Sequence, residues 1–176
     1  MPWHAPITWQ VDQLVTEGDL NAQIRDNMLY LKGRADRALV SALPISLDIS
    51  TSSTQWSDIQ ADTLSIGMVT AGGPVLLGFS GVFSTTSTAE TVVQLDFSVD
   101  GLRYVGGEGL AVANVRSGVI TLQHDHVLMQ ALVMNLAAGS HTFRPQWRLA
   151  SGVSVLLRGG NTAGAQFRPH LWAIEF

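Results

Sequence analysis

The side chains best placed to do chemistry in this chain are His124, Asp125 and His126. On a strand, residues two apart share a face, so the two imidazoles would suit two ligands of one metal ion. A third ligand would have to come from His141 or, at a threefold axis, from symmetry copies. Two ligands without a third are not a metal site; the competing reading is a solvated loop ahead of the next strand, and no metal is expected. Asp96, Asp100 and Glu108 lie close in sequence, and a carboxylate pair would suit glycoside hydrolysis. Asp100 is claimed by a turn, however, and Asp96 falls on what reads as a solvent face. The serines form no Gly-x-Ser-x-Gly elbow. Gly106-Gly107-Glu108-Gly109 follows a hairpin strand instead of joining a strand to a helix, which argues against a phosphate loop. With no cysteines, thiol nucleophiles, thiolate metal sites, iron–sulfur clusters and disulfides are excluded. The expectation is a protein that binds, with no catalytic residues and no cofactor.

For binding, arginine outnumbers lysine nine to one, and arginine is the better residue for bidentate and stacked contacts. Arg144 and Arg148 flank Gln146 on one strand face, where they would meet a neighbouring subunit's acids, an anionic glycan or simply water. Trp56 and Tyr104, near loops, are the aromatic candidates for stacking on a sugar. Trp147 and Trp172 read as core residues by their alternation.

These residues sit on elements that the patterning divides into two regions. Residues 1–15 hold Pro2 and Pro6 among Trp3, Ile7, Trp9, Val11 and Leu14 without a steady period, which reads as an extended arm. An arm this apolar needs cover from its own domain or a neighbour. Thr16-Glu17-Gly18-Asp19 reads as a helix start, with a capping hydroxyl and acids in the first turn. Leu20 follows, and then Ile24, Met28, Leu31, Ala35 and Ala38 make a seam on a helix of roughly 20 residues, packed on its own domain or lining a short parallel coiled coil. The expected division is 1–43, arm and helix, and 44–176, a β domain. Ser50 to Thr54 reads as a loop. Strands are expected at about 62–70, 74–84, 91–99, 102–106, 117–122, 126–136, 140–150, 152–158 and 169–176, and Asp100-Gly101 as a type I′ hairpin turn. Many short strands without helices predict a mainly β fold, an antiparallel jelly-roll sandwich. In 126–136 both faces are apolar, so one needs cover from the N-terminal segment or another subunit. Val127, Met129, Ala131 and Val133 are the residues assigned to that intersubunit face.

Charged residues are 14% of the chain and the net charge is −4, against about 25% charged in an average domain. That balance argues against a nucleic-acid partner and for self-association. Apolar runs such as 131–134 fall far short of the roughly 20 residues that span a bilayer, so no membrane partner is expected. The first residues carry neither a basic nor an apolar leader, so no secretion signal is expected.

Two stretches resemble known proteins. Trp9, Leu14-Val15-Thr16, Asp19-Leu20-Asn21 and Ile24-Arg25-Asp26-Asn27-Met28-Leu29-Tyr30-Leu31-Lys32 resemble an arm and helix found near the start of many tailed-phage and prophage virion proteins. Trp56-Ser57-Asp58-Ile59, Val75-Leu76-Leu77-Gly78-Phe79-Ser80-Gly81, Val99-Asp100-Gly101, Ala138-Gly139-Ser140-His141-Thr142-Phe143 with Trp147, and Trp172-Ala173-Ile174-Glu175-Phe176 are similar to the trimeric jelly rolls of the tumour-necrosis-factor and C1q type. The resemblance implies a homotrimeric virion component (head decoration, head or tail fibre, or collar) whose partners are its own copies and capsid, tail or portal proteins. It is assembled in the host cytoplasm and anchored by the arm and helix. It also leaves open a receptor-binding module for a host surface glycan, and it implies no catalytic residues.

Overall fold

A computed structural model describes residues 4–29, 38–41 (backbone only), 48–116, 124–159 and 168–176. The chain forms two compact units, Met1–Ala38 and Leu39–Phe176.

The larger unit is an antiparallel β-sandwich. One sheet runs β1 (Ala38–Ser41), β12 (His170–Glu175), β5 (Val75–Ser84), β11 (Val155–Leu157), β2 (Ile49–Thr51), with β9 (His124–Val133) on the other side of β5. The second runs β3 (Ser57–Asp58), β10 (Ala138–Ser151), β6 (Thr91–Val99), β7 (Leu102–Arg103), with β4 (Ile66–Ala71) also on β10 and β8 (Ala111–Val115) also on β6. Alternation drives this layering: Leu77 and Phe79 of β5, Val93, Leu95 and Phe97 of β6, Phe143, Trp147 and Leu149 of β10 and Leu171 of β12 all enter one core. The Phe83 and Trp147 rings, 6.5 Å apart between centroids, join the two sheets across it. The turn between β6 and β7 holds Asp100 at φ 53° and Gly101 at φ 82°, the pair of positive values a type I′ turn needs.

Several expectations need correction. Ser50 was placed in a loop, but Ile49–Thr51 pairs with β11. Strand β8 was not anticipated, and the expected strand at 117–122 lies outside the described residues. Val127, Met129, Ala131 and Val133 do not form an intersubunit face, because their side of β9 packs into the protomer's own core; the opposite side carries the exposed Leu128 and Leu132. Trp172 is not a core residue either. Leu171 and Ala173 take the inward positions, and Trp172 lies on the outer face, where its ring occupies the space a Cβ at Gly78 would fill.

The smaller unit contains α1 (Glu17–Leu20), a π-helical segment at Asn21–Asp26, and α-helical residues 27–29. The expected helix through Ala38 does not occur, because Ala38–Ser41 is committed to a strand beside β12. Leu31 and Ala35 lie outside the described residues. Among the described residues, no helix is long and apolar enough to cross a membrane.

Candidate functional site

The helix of the smaller unit begins where its sequence places a cap. The Thr16 hydroxyl accepts from the Asp19 N–H at 3.2 Å, and Asp19 Oδ2 accepts from the Thr16 N–H at 3.2 Å and from its hydroxyl at 2.6 Å. The reciprocal pairing satisfies helix-start donors and closes a capping box. The Thr16 hydroxyl, more than its amide, holds the Asp19 carboxyl below its ordinary value.

Beyond the cap, two amide side chains four residues apart face one way. Asn27 Nδ2 donates to the His4 carbonyl at 3.0 Å, while its Oδ1 accepts from the His4 N–H at 2.8 Å. Gln23 Nε2 donates to the Ala5 carbonyl at 3.0 Å, and its Oε1 accepts from the Ile7 N–H at 3.2 Å. These contacts reproduce for residues 4–7 the donors and acceptors that a neighbouring strand would offer. The arm is tied to its own helix through its backbone, with its side chains left over.

Those side chains face outward. Leu14 is 84% exposed, Ile24 55% and Met28 65%, and Ile7, Trp9, Val11, Val15, Leu20 and Leu29 are exposed as well. Among the described residues of this unit, only Asn27 is buried. The predicted seam therefore exists among the described residues as Leu20, Ile24 and Met28, all of them exposed. Trp3 and Leu31, the other predicted anchors, lie outside the described residues. The amide clamp was missed, although Gln23 and Asn27 show the i, i+4 spacing that would have exposed it.

On the sandwich, the polar face of the second sheet is not solvated as expected. Registers align Arg144 with Ser98, Gln146 with Asp96 and Arg148 with Gln94 on β10 and β6, while Arg103 of β7 pairs with Ser98. Asp96 is fully buried. Its Oδ2 accepts from Arg103 Nη2 at 3.0 Å and Nε at 3.2 Å, and its Oδ1 from the Phe97 N–H at 2.8 Å and the Val105 N–H at 3.3 Å. Arg144 donates to Asp58 at 3.1 Å, which also accepts from Gln146 at 2.7 Å. Arg148 donates to Gln94 at 2.7 Å, and Gln94 donates to Glu108 at 2.5 Å.

Trp56 is brought to this network, with the Arg103 guanidinium 3.8 Å and the Arg148 guanidinium 5.1 Å from its ring centroid. Tyr104 is not; its hydroxyl donates to the Leu132 carbonyl at 2.7 Å. Asp96, Asp100 and Glu108 are thus held by Arg103, His141 and Gln94 respectively. The Asp96–Arg103 bond was legible in principle, since the two-residue turn sets the register that puts both on one face.

His124 and His126 share the exposed face of β9. His141 bonds the Ala137 carbonyl beyond the far end of that strand, roughly 30 Å of strand away from His124, so it cannot complete their ligand set. Among the described residues, no three histidine, cysteine, aspartate or glutamate side chains are grouped to hold a metal.

The fold and the surface together define an antiparallel β-sandwich carrying a separate arm–helix unit whose apolar side chains face out. In comparisons with known proteins, the chain matches no family model, no curated protein and no solved structure.

Proposed function

We propose that this chain is a structural component of a tailed-phage-like virion, a homotrimer attached to the particle through its arm and helix. One observation carries the anchoring role: among its described residues, the unit that buries an asparagine exposes nine large apolar side chains, Ile7, Trp9, Val11, Leu14, Val15, Leu20, Ile24, Met28 and Leu29. Burying the exposed half of each is worth roughly 1 kcal/mol, so together they supply on the order of 10 kcal/mol before the costs of ordering and association. A surface of that size favours a permanent contact over a transient one. Residues 4–7 of the arm are already held by Gln23 and Asn27, so docking costs little in ordering that stretch.

The virion setting and the trimer rest on the likeness of the Trp9 to Lys32 segment and of the β domain to the families named above. The strand orders β1-β12-β5-β9 and β4-β10-β6-β8 support the jelly-roll reading. Leu128 and Leu132 on the outer face of β9 are the self-association residues that replace Val127, Met129, Ala131 and Val133. The glycan-binding reading has less behind it, because the Trp56 ring is already stacked by Arg103 and Arg144 is occupied by Asp58.

Deleting residues 1–15 tests the anchor. The expected product is a folded, soluble trimer by sedimentation that no longer joins its particle. Assembly of the truncated chain at normal occupancy would show that the arm is not the anchor.

A further inference from the structure

His141 stands at one end of the sandwich with a side chain only 12% exposed, and both of its ring nitrogens face acceptors. Nδ1 is 2.7 Å from Asp100 Oδ2 and Nε2 is 2.9 Å from the Ala137 carbonyl. A neutral imidazole has one N–H; only the imidazolium donates from both nitrogens. The three segments so joined are otherwise cross-braced. Asp100 Oδ1 accepts from the Thr142 N–H at 2.8 Å, the Asp100 N–H donates to the Thr142 carbonyl at 2.9 Å, and the Ala137 carbonyl also accepts from the Thr70 hydroxyl at 2.9 Å. The connection from β9 to β10 holds Asn135 at φ 61°, a left-handed conformation that its surroundings must maintain.

We infer that His141 is a proton-operated latch that fastens the Asp100–Gly101 hairpin to the β9–β10 connection when charged and releases one of the two when neutral.

The charges around it leave Asp100 as its partner. Strand β4 brings Met68, its register partner, and Thr70. The connection brings Met134, Asn135, Leu136 and Ala137, none titratable. On β12, Glu175 receives the Ala71 and Gly73 N–H groups at 2.7 and 2.9 Å. Arg103 on β7 is bound to Asp96 on the opposite face. Consistent with the geometry, the hydrogen bond His141 donates to Asp100, then that to the Ala137 carbonyl, holds the His141 imidazole above its ordinary 6.5. The same bond, then the Thr142 amide, holds Asp100 below 3.8.

The direction of the effect follows. A raised imidazole value stabilises fully below pH 6.5 and is lost as pH rises through the folded value; a lowered carboxyl value stabilises above 3.8 and is lost as pH falls through the folded value. The latch is therefore closed in mild acid, between about 4 and 6.5, and opens on the alkaline side.

The test follows the His141 ring proton resonances of the full chain by NMR titration and compares melting temperature from pH 5.5 to 8.5 with that of His141→Gln, whose side chain donates from one atom only. The expected result is a midpoint above 6.5 and a melting temperature that falls more with rising pH in the wild type than in the variant. A midpoint at or below 6.5, or parallel pH profiles, overturns the latch. If His141→Gln does not fold, the wild-type ring midpoint alone decides.

Discussion

In the sandwich, Phe79, Phe97 and Phe143 lie in one core without solvent contact, and even the polar face of the second sheet buries a carboxylate beneath its arginine. In the arm–helix unit the arrangement is turned inside out: Asn27 is buried, while Ile24 and Met28 stand in water. Both units bond backbone groups internally, the sandwich through strand ladders and residues 4, 5 and 7 of the arm through the Gln23 and Asn27 amides. They differ in where the apolar driving force is spent. The sandwich spends it on its own fold, and the described part of the arm–helix unit leaves its apolar side chains at the surface. Directional polar bonds can give a segment shape while leaving its hydrophobic surface free for association.

The largest effect expected from this contrast lies in the sandwich core. Phe97→Ala should lower stability by about 3–5 kcal/mol through the cavity it leaves. Ile24→Ala, at a side chain already more than half exposed, should change the stability of the chain by under about 0.5 kcal/mol. Urea denaturation of both variants is the measurement. A core-sized loss at Ile24 would break the comparison, because it would mean the helix packs within its own protomer.

Sequence alone made the contrast partly visible, and the reasons are physical. The alternation in β6 and β10 and the Asp100-Gly101 turn are short-range signals, and the strands formed where those signals lay. The capping threonine was equally local. Which side of β9 faced inward was not legible: Val127, Met129, Ala131 and Val133 and the opposing Leu128 and Leu132 are both apolar sets, and only the position of the other sheet decides between them. Asp96 read as solvent-facing because polarity normally marks the wet face of a strand. The Arg103 that pairs with it reaches back across the hairpin, and the 104–110 connection supplies Val105 as a second donor. The helix was drawn too long because Ala38 fits a helical seam as well as it fits a strand, and pairing with β12 overrides propensity.

The pairing of buried Asp96 with the partly exposed Arg103 sharpens the comparison at an intermediate magnitude. Arg103→Ala leaves a carboxylate with no solvent exposure facing only the Phe97 and Val105 N–H groups. The expected loss is about 3 kcal/mol, the low end for breaking a buried pair from one side. Replacing both residues, Asp96→Leu with Arg103→Met, should recover much of that loss, because no charge is then left unpaired. Thermal denaturation of the single and double variants separates the outcomes. If the double variant is as unstable as the single, the network acts through the hydrogen bonds that Arg103 Nη2 donates to the Val105 and Gly107 carbonyls, at 2.8 and 3.1 Å, and not through charge balance.

The most local effect is expected at the amide clamp. Asn27→Ala removes two hydrogen bonds to His4, each worth about 1 kcal/mol net. The loss should be confined to the arm, since the bonds join residues 4 and 27 alone. Amide exchange at His4 should accelerate by roughly ten- to a hundredfold, the equivalent of those bonds. Exchange across β5 and β6 should stay unchanged. The Gln23 bonds remain in this variant, so Ile7 should keep its protection; in Gln23→Ala the pattern should reverse, with Ile7 exposed and His4 retained. Exchange that rose equally at both positions in either variant would make the arm one cooperative segment. Exchange that rose in neither would mean that the amides follow the arm's course without holding it, and the inside-out unit would need another source of order.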